Sequence, residues 1–123
     1  MMRSVRLILQ GEPASKANSR RLVTIRGQAR LIKSQKALDY VAAVKRTYPP
    51  LVPLLEGDLR MTADVYYATR RPDLDVSLIL DALEGIAYRN DRQVREMHLY
   101  HHLDRANPRA EITLEEMHND TDE

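Results

Sequence analysis

Arg70-Arg71-Pro72-Asp73-Leu74-Asp75 runs directly into Val76-Ser77-Leu78-Ile79-Leu80-Asp81-Ala82-Leu83-Glu84-Gly85, and Asn90-Asp91 comes a few residues on. Pro72 lacks an amide donor and drives Arg71 into an extended conformation, so a strand arriving over residues 63–69 ends here. Residues two apart in an extended segment point the same way, which turns the carboxylates of Asp73 and Asp75 toward a common point. Leu78, Ile79, Ala82, Leu83 and Ile86 recur at three- and four-residue spacing, which predicts a short amphipathic helix over 76–84 with Gly85 placed to end it. That helix would be roughly 13 Å long, and the seven residues after it reach roughly 23 Å when extended. Asp91 can therefore return to the mouth of the helix.

Three carboxylates brought together repel one another, so Asp73, Asp75 and Asp91 call for a hard cation. All-oxygen ligation suits Mg²⁺, with Mn²⁺ as a substitute, rather than zinc. The chemistry such a site supports is cleavage of a phosphodiester, with the ion offsetting the repulsion between site and phosphate. The same residues would also serve as helix caps, or as partners of Arg70, Arg71 and Arg92 on a solvated face.

The rest of the chain narrows the class. Its 123 residues suffice for one domain with its own core. Cysteine is absent, which excludes disulfides, thiol catalysis and cysteine-ligated zinc. Tryptophan and phenylalanine are absent too, leaving six tyrosines and the aliphatic residues to fill the interior. The first residues, Met1-Met2-Arg3-Ser4-Val5-Arg6, contain no long apolar run, so neither a signal peptide nor a membrane span is expected and the location is expected to be cytoplasmic. A net charge of +1 conceals an asymmetry. Through Arg46 eleven Lys and Arg face only Glu12 and Asp39, and the remainder of the chain is correspondingly acidic. A basic front half suits contact with a polyanion, unless the two halves neutralise each other in the fold or across a dimer.

In chain order, residues 5–10 alternate as a strand. Residues 11–21 read as a polar, basic loop, either an ordinary exposed connection or one able to grip a DNA backbone through Lys16, Arg20 and Arg21, to which Arg70, Arg71 and Arg92 add further cations. Residues 22–26 and 29–32, joined at Gly27-Gln28, predict a hairpin. Ser34 is a good N-cap for a helix carrying Ala37, Leu38, Val41, Ala42 and Val44 and ending before Pro49-Pro50. Residues 59–69 are strand-like, with Met61, Ala63, Val65 and Tyr67 on one side. Further strands are predicted over 94–103 and 110–116. The order gives an α+β domain over residues 1–117, a mixed sheet covered by two main helices, and then an acidic flexible tail at 118–123.

Four pieces, Gly11-Glu12-Pro13-Ala14-Ser15-Lys16-Ala17-Asn18-Ser19-Arg20-Arg21, Arg70-Arg71-Pro72-Asp73-Leu74-Asp75, Asp81-Ala82-Leu83-Glu84-Gly85 and Asn90-Asp91-Arg92-Gln93-Val94, together resemble the RusA family of Holliday junction resolvases. The similarity runs in order over residues 7–114. The resemblance implies a homodimeric, Mg²⁺-dependent endonuclease, often carried by phages and prophages, that nicks two symmetric strands of a four-way DNA junction. It places the acidic metal-binding residues on Asp73, Asp75 and Asp91. A two-fold dimer also matches the two equivalent strands of a junction. One departure stands out: typical members carry Asn after Asp-Leu-Asp and a Lys shortly beyond, where this chain has Val76-Ser77-Leu78-Ile79-Leu80. The role of that Lys falls to Lys16, Arg70, Arg71 or Arg92, or is lost and leaves a branched-DNA binder without proficient cleavage.

Other motifs are weaker. Asp73, Asp75, Ser77, Asp81 and Glu84 match positions of a calcium-binding EF-hand loop, but Leu78 stands where that loop needs glycine. An Asp-x-Asp glycosyltransferase motif would require a larger sugar-nucleotide domain than this chain provides. His98, His101 and His102 would share an ion only across a bulge, since adjacent strand residues face opposite sides, and surface or DNA-facing roles are expected of them.

Overall fold

The structure, a computed structural model, describes residues 2–14 and 20–117; Lys16 and the tail at 118–123 lie outside the described residues. The elements are β1 (Ser4–Gln10), β2 (Arg20–Ile25), β3 (Gln28–Lys33), α1 (Gln35–Thr47), β4 (Leu59–Tyr67), α2 (Ser77–Leu83), a single 3₁₀ turn at Asp91–Gln93, β5 (Val94–Leu103) and β6 (Arg109–Glu116). Strands pair in the order β1-β6-β4-β5, with β4 antiparallel to β6 and parallel to β5, so the sheet is mixed. Together with the two helices this is the expected α+β architecture.

Strict alternation makes β4 the centre of the core. Leu59, Met61, Ala63, Val65 and Tyr67 are all buried, while their neighbours are only half-buried. Ile112 and Leu114 of β6, Leu7 and Leu9 of β1, and Ile79, Ala82 and Leu83 of α2 close over them. Helix α1 adds Ala37, Tyr40 and Val44 from one stripe. Its first turn is capped as expected, the Ser34 hydroxyl accepting from the Ala37 amide at 3.2 Å. The two helices are joined by Lys45, whose ammonium donates to the Ala82 and Glu84 carbonyls at 3.5 and 3.1 Å and so caps the end of α2. Tyr48, just past α1, seals the open edge of β1: its hydroxyl donates to the Ile8 carbonyl and accepts from the Ile8 amide.

Three expectations shift. Arg20 and Arg21 are not loop residues; they begin β2, opposite Lys33 and Ile32 of β3. The hairpin turns at Arg26-Gly27 rather than Gly27-Gln28, with both residues at positive φ, the two-residue geometry that continues the strand twist. Strand β4 stops at Tyr67, two residues early, because the next amide, that of Ala68, is taken by the Glu12 carboxylate at 2.9 Å instead of a ladder partner.

Burial raises the hydroxyl pKa of Tyr40, Tyr67 and Tyr88 above the ordinary tyrosine value. A raised folded pKa contributes stability that is whole below the unfolded value and is lost as pH rises toward the folded one. Urea midpoints measured between about pH 8 and about pH 11 are therefore expected to fall on the alkaline side, as the unfolded chain ionises where the folded one does not. A flat profile would contradict the buried-hydroxyl assignment.

Candidate active site

Where β4 ends, its last side chain organises the loop beyond it. The Tyr67 ring is 1% exposed, and its hydroxyl donates to the Asp73 carbonyl at 3.1 Å and accepts from the Asp75 amide at 3.4 Å. One buried tyrosine thus sets the spacing of Asp73 and Asp75. His101, on the neighbouring strand β5, adds a brace: its ring tilts against Tyr67 at 4.5 Å between centroids, and its Nε2 lies 3.0 Å from the Pro72 carbonyl. Burial raises the hydroxyl pKa above the ordinary tyrosine value; the hydrogen bond with the Asp75 amide works against it, and the nearby charges of Asp75, Glu12 and Asp73 add smaller upward contributions.

Asp75 is held at the start of α2. Its Oδ1 accepts from the Ser77 amide at 2.9 Å and from the Ser77 hydroxyl at 2.6 Å. Beside Asp73 opens a cleft of about 240 Å³, lined by Glu12, Lys36, Arg71 and Asp73 among others. Glu12 and Lys36 stood outside the candidate site read from sequence. The signal for Glu12 was its isolation: with Asp39 it is one of only two acids before Arg46.

Asp91 belongs to a different corner. Asn90 caps the 3₁₀ turn, its side chain accepting from the Arg92 amide at 2.8 Å, while the Gln93 side chain accepts from the Asn90 amide at 3.1 Å. Gln93 also donates to the Leu55 and Gly57 carbonyls, both at 3.1 Å, fixing the turn beside the start of β4. The Asp91 amide donates to Glu84 Oε2 at 2.9 Å, just past the end of α2.

The chain therefore does return to α2, but to its C-terminal half and not to its mouth. Parallel pairing is the reason. Leu59 stands opposite Val94 and Tyr67 opposite Leu103, so Asp91 precedes the starting edge of this strand pair whereas Asp73 and Asp75 lie beyond its finishing edge. Among the described residues no three His, Cys, Asp or Glu side chains are grouped so as to hold one metal ion. The donor chemistry, carboxylates throughout, fits a hard divalent cation. The Tyr67 hydroxyl brings Asp73 and Asp75 together, and the Asp91 backbone is placed at Glu84.

The cations divide in the same way. Arg70 and Arg71 are exposed at the finishing edge of β4, Arg92 sits on the 3₁₀ turn, and Arg20 and Arg21 lie on the hairpin. Arg71 is the one of these that shares a cleft with Asp73. Asp81 forms an ion pair with Lys33 at 3.5 Å, a structural role tying β3 to α2. The sheet face turned away from the helices pairs charges internally: Arg60 pairs with Glu96, and Arg6 and Arg109 with Glu111, while His102 hydrogen-bonds with Asp64 and Arg109 also covers the Tyr66 ring at 3.9 Å. His98 bonds to Glu96 on that face, whereas His101 points to Pro72, as alternation requires.

Comparison with protein families matches residues 10–115 to the family described as Endodeoxyribonuclease RusA. None of the curated proteins matches the chain. Among the described residues no helix is long and apolar enough to cross a membrane.

Proposed function

The chain belongs to the RusA family of endodeoxyribonucleases, and from that premise we propose that it is a Mg²⁺-dependent, structure-selective nuclease that resolves four-way DNA junctions by paired symmetric nicks. The family implies binding to branched DNA and the use of a divalent metal. The proposal adds the rest: a homodimer, Mg²⁺ with Mn²⁺ as substitute, a role in DNA recombination and repair, and a cytoplasmic setting in a bacterium or a phage-infected host.

The observation that carries the reading is the pair Asp73 and Asp75, joined through the Tyr67 hydroxyl, with Asp73 lining a cleft that also holds Arg71. Asp73, Asp75 and Asp91 are the proposed ligands of one ion. Bound there, the ion would offset carboxylate–phosphate repulsion and make water a better nucleophile. Arg70, Arg71, Arg20, Arg21, Arg92 and Lys16 are the proposed backbone contacts, with Arg71 best placed to take up the role of the absent Lys.

A second reading, a branched-DNA binder with little or no cleavage, is favoured by that absent Lys. One experiment separates them. Purified protein incubated with a labelled synthetic four-way junction should yield symmetric nicks with 5′-phosphate ends in Mg²⁺ and none in EDTA. Binding without nicks, in Mg²⁺ or Mn²⁺ at any pH tested, would leave only the second reading.

A further inference from the structure

Strands β2 and β3 form a two-stranded ribbon that is not part of the main sheet. Of its twelve paired residues only Val23 and Ile32 are even half-buried. Period-two alternation puts these two on one face, which also carries Arg21, Ile25, Gln28 and Arg30. The other face carries Leu22 and Leu31 directly opposite each other in register, 69% and 65% exposed. Two aliphatic side chains stacked side by side in water are a cost to an isolated protein, and such a patch marks a contact surface.

The charges around the pair say what that contact is. Residues 20–33 include Arg20, Arg21, Arg26, Arg30 and Lys33 and no acidic residue. Among the described residues the four arginines make no ion pair, while Lys33 alone is tied down, to Asp81 of α2. At the tip Arg26 adopts φ 53°, a left-handed conformation uncommon for a side chain of this size, and so an arginine is presented at the extreme end of the ribbon. A ribbon without acids, with Arg20 on the leucine face, Arg26 at the tip and Arg21 and Arg30 on the reverse face, is complementary to nucleic acid, with phosphates outside and base faces within. A two-stranded ribbon also has the width to enter a DNA groove.

Resting on the proposed function, we infer that the β2–β3 ribbon is the element that recognises the branch point: Leu22 and Leu31 seat against base pairs exposed there, Arg20 and Arg26 hold the adjoining phosphates, and Arg21 and Arg30 on the reverse face meet backbone farther along. In a continuous duplex every base face is covered by the next, so the leucine pair gains nothing. At a branch the end pairs can be uncovered, and apolar side chains wedge against them. Affinity for any DNA then comes from the arginines, and preference for branched DNA from the leucines.

The test measures binding in EDTA, so it does not depend on cleavage. Fluorescence anisotropy with a four-way junction and with a linear duplex of equal length, over a range of salt, is compared for wild type, Leu22→Ser/Leu31→Ser and Arg20→Gln/Arg21→Gln. The leucine variant is expected to lose about tenfold or more of the preference for the junction while keeping its salt slope. The arginine variant is expected to weaken on both DNAs and to lose about one unit of salt slope per contact removed. A 2-aminopurine at the branch should respond to wild type and not to the leucine variant. If wild type shows no preference for the junction, the proposed function itself fails. If wild type prefers the junction and the leucine variant does so equally, only this inference fails. It fails also if sedimentation shows the leucine variant has lost a dimer that wild type forms, because the pair is then a seam between protein copies.

Discussion

Replacing Asp75 by asparagine is expected to slow Mg²⁺-dependent nicking of a four-way junction by about a thousandfold or more, with junction binding and thermal midpoint close to wild type. The substitution isolates charge from structure. Asparagine retains an Oδ1 that can accept from the Ser77 amide and hydroxyl as the carboxylate does at 2.9 and 2.6 Å, so α2 keeps its start. What disappears is the negative charge that a divalent cation requires. Asp75→Ala removes both, and is expected to add a loss of roughly 1 kcal/mol in stability to the loss of nicking. Asp91→Asn completes the comparison, since the contact of Asp91 with Glu84 is made by its backbone amide and survives the change. Equal loss in Asp75→Asn and Asp91→Asn means the two corners act on one ion in the working assembly. Loss in Asp75→Asn alone confines the ion to the finishing edge of β4, and normal nicking by Asp75→Asn rejects the ligand assignment.

The direction in which β5 pairs with β4, which decides where the chain carries Asp91, shows where reading the sequence reached its limit. The alternation of Met61, Ala63, Val65 and Tyr67 and the spacing of Ala37, Val41 and Val44 are local patterns, and β4 and α1 lie where those patterns put them. The exit of β4 into the Asp73–Asp75 segment is equally local, since Pro72 and the apolar run behind it dictate a strand-to-helix change. The direction in which β5 pairs with β4 is not local. A chain of the same composition running antiparallel would have delivered residue 91 to the other edge of the sheet, and chain reach alone permits either. Side-chain reach is hidden for the same reason. Period two shows that Tyr67 faces inward, but not that its hydroxyl ends on Asp73 and Asp75; the isolated acid at Glu12 does not announce that it ends the β4 ladder at Ala68. The hairpin was legible as a hairpin, yet its detachment from the main sheet, which leaves Leu22 and Leu31 uncovered, depends on what the rest of the fold does not supply.

Tyr67 is where core and site meet, and Tyr67→Ala is expected to cost about 3–5 kcal/mol of stability, a large share of what a domain of this size has to lose. The ring is buried at the last position of β4, with His101 against it and the aliphatic core behind. Removing it leaves a cavity and frees the loop that bears both aspartates, so nicking should vanish with the fold. Tyr67→Phe divides the effect. The ring remains, and only the hydroxyl that joins the Asp73 carbonyl and the Asp75 amide is lost. Its expected cost is about 1–2 kcal/mol in a urea titration, because a carbonyl and an amide are left without that partner. The informative readout is kinetic: if the hydroxyl sets the aspartate spacing, Tyr67→Phe raises the Mg²⁺ concentration needed for half-maximal nicking while leaving EDTA-measured junction affinity unchanged. A purely structural hydroxyl would lower the urea midpoint and leave the Mg²⁺ requirement where it was, since the molecules that remain folded would carry an intact site. The His101→Ala variant, which removes the brace on Pro72 but not the anchor, should shift the Mg²⁺ requirement in the same direction by less.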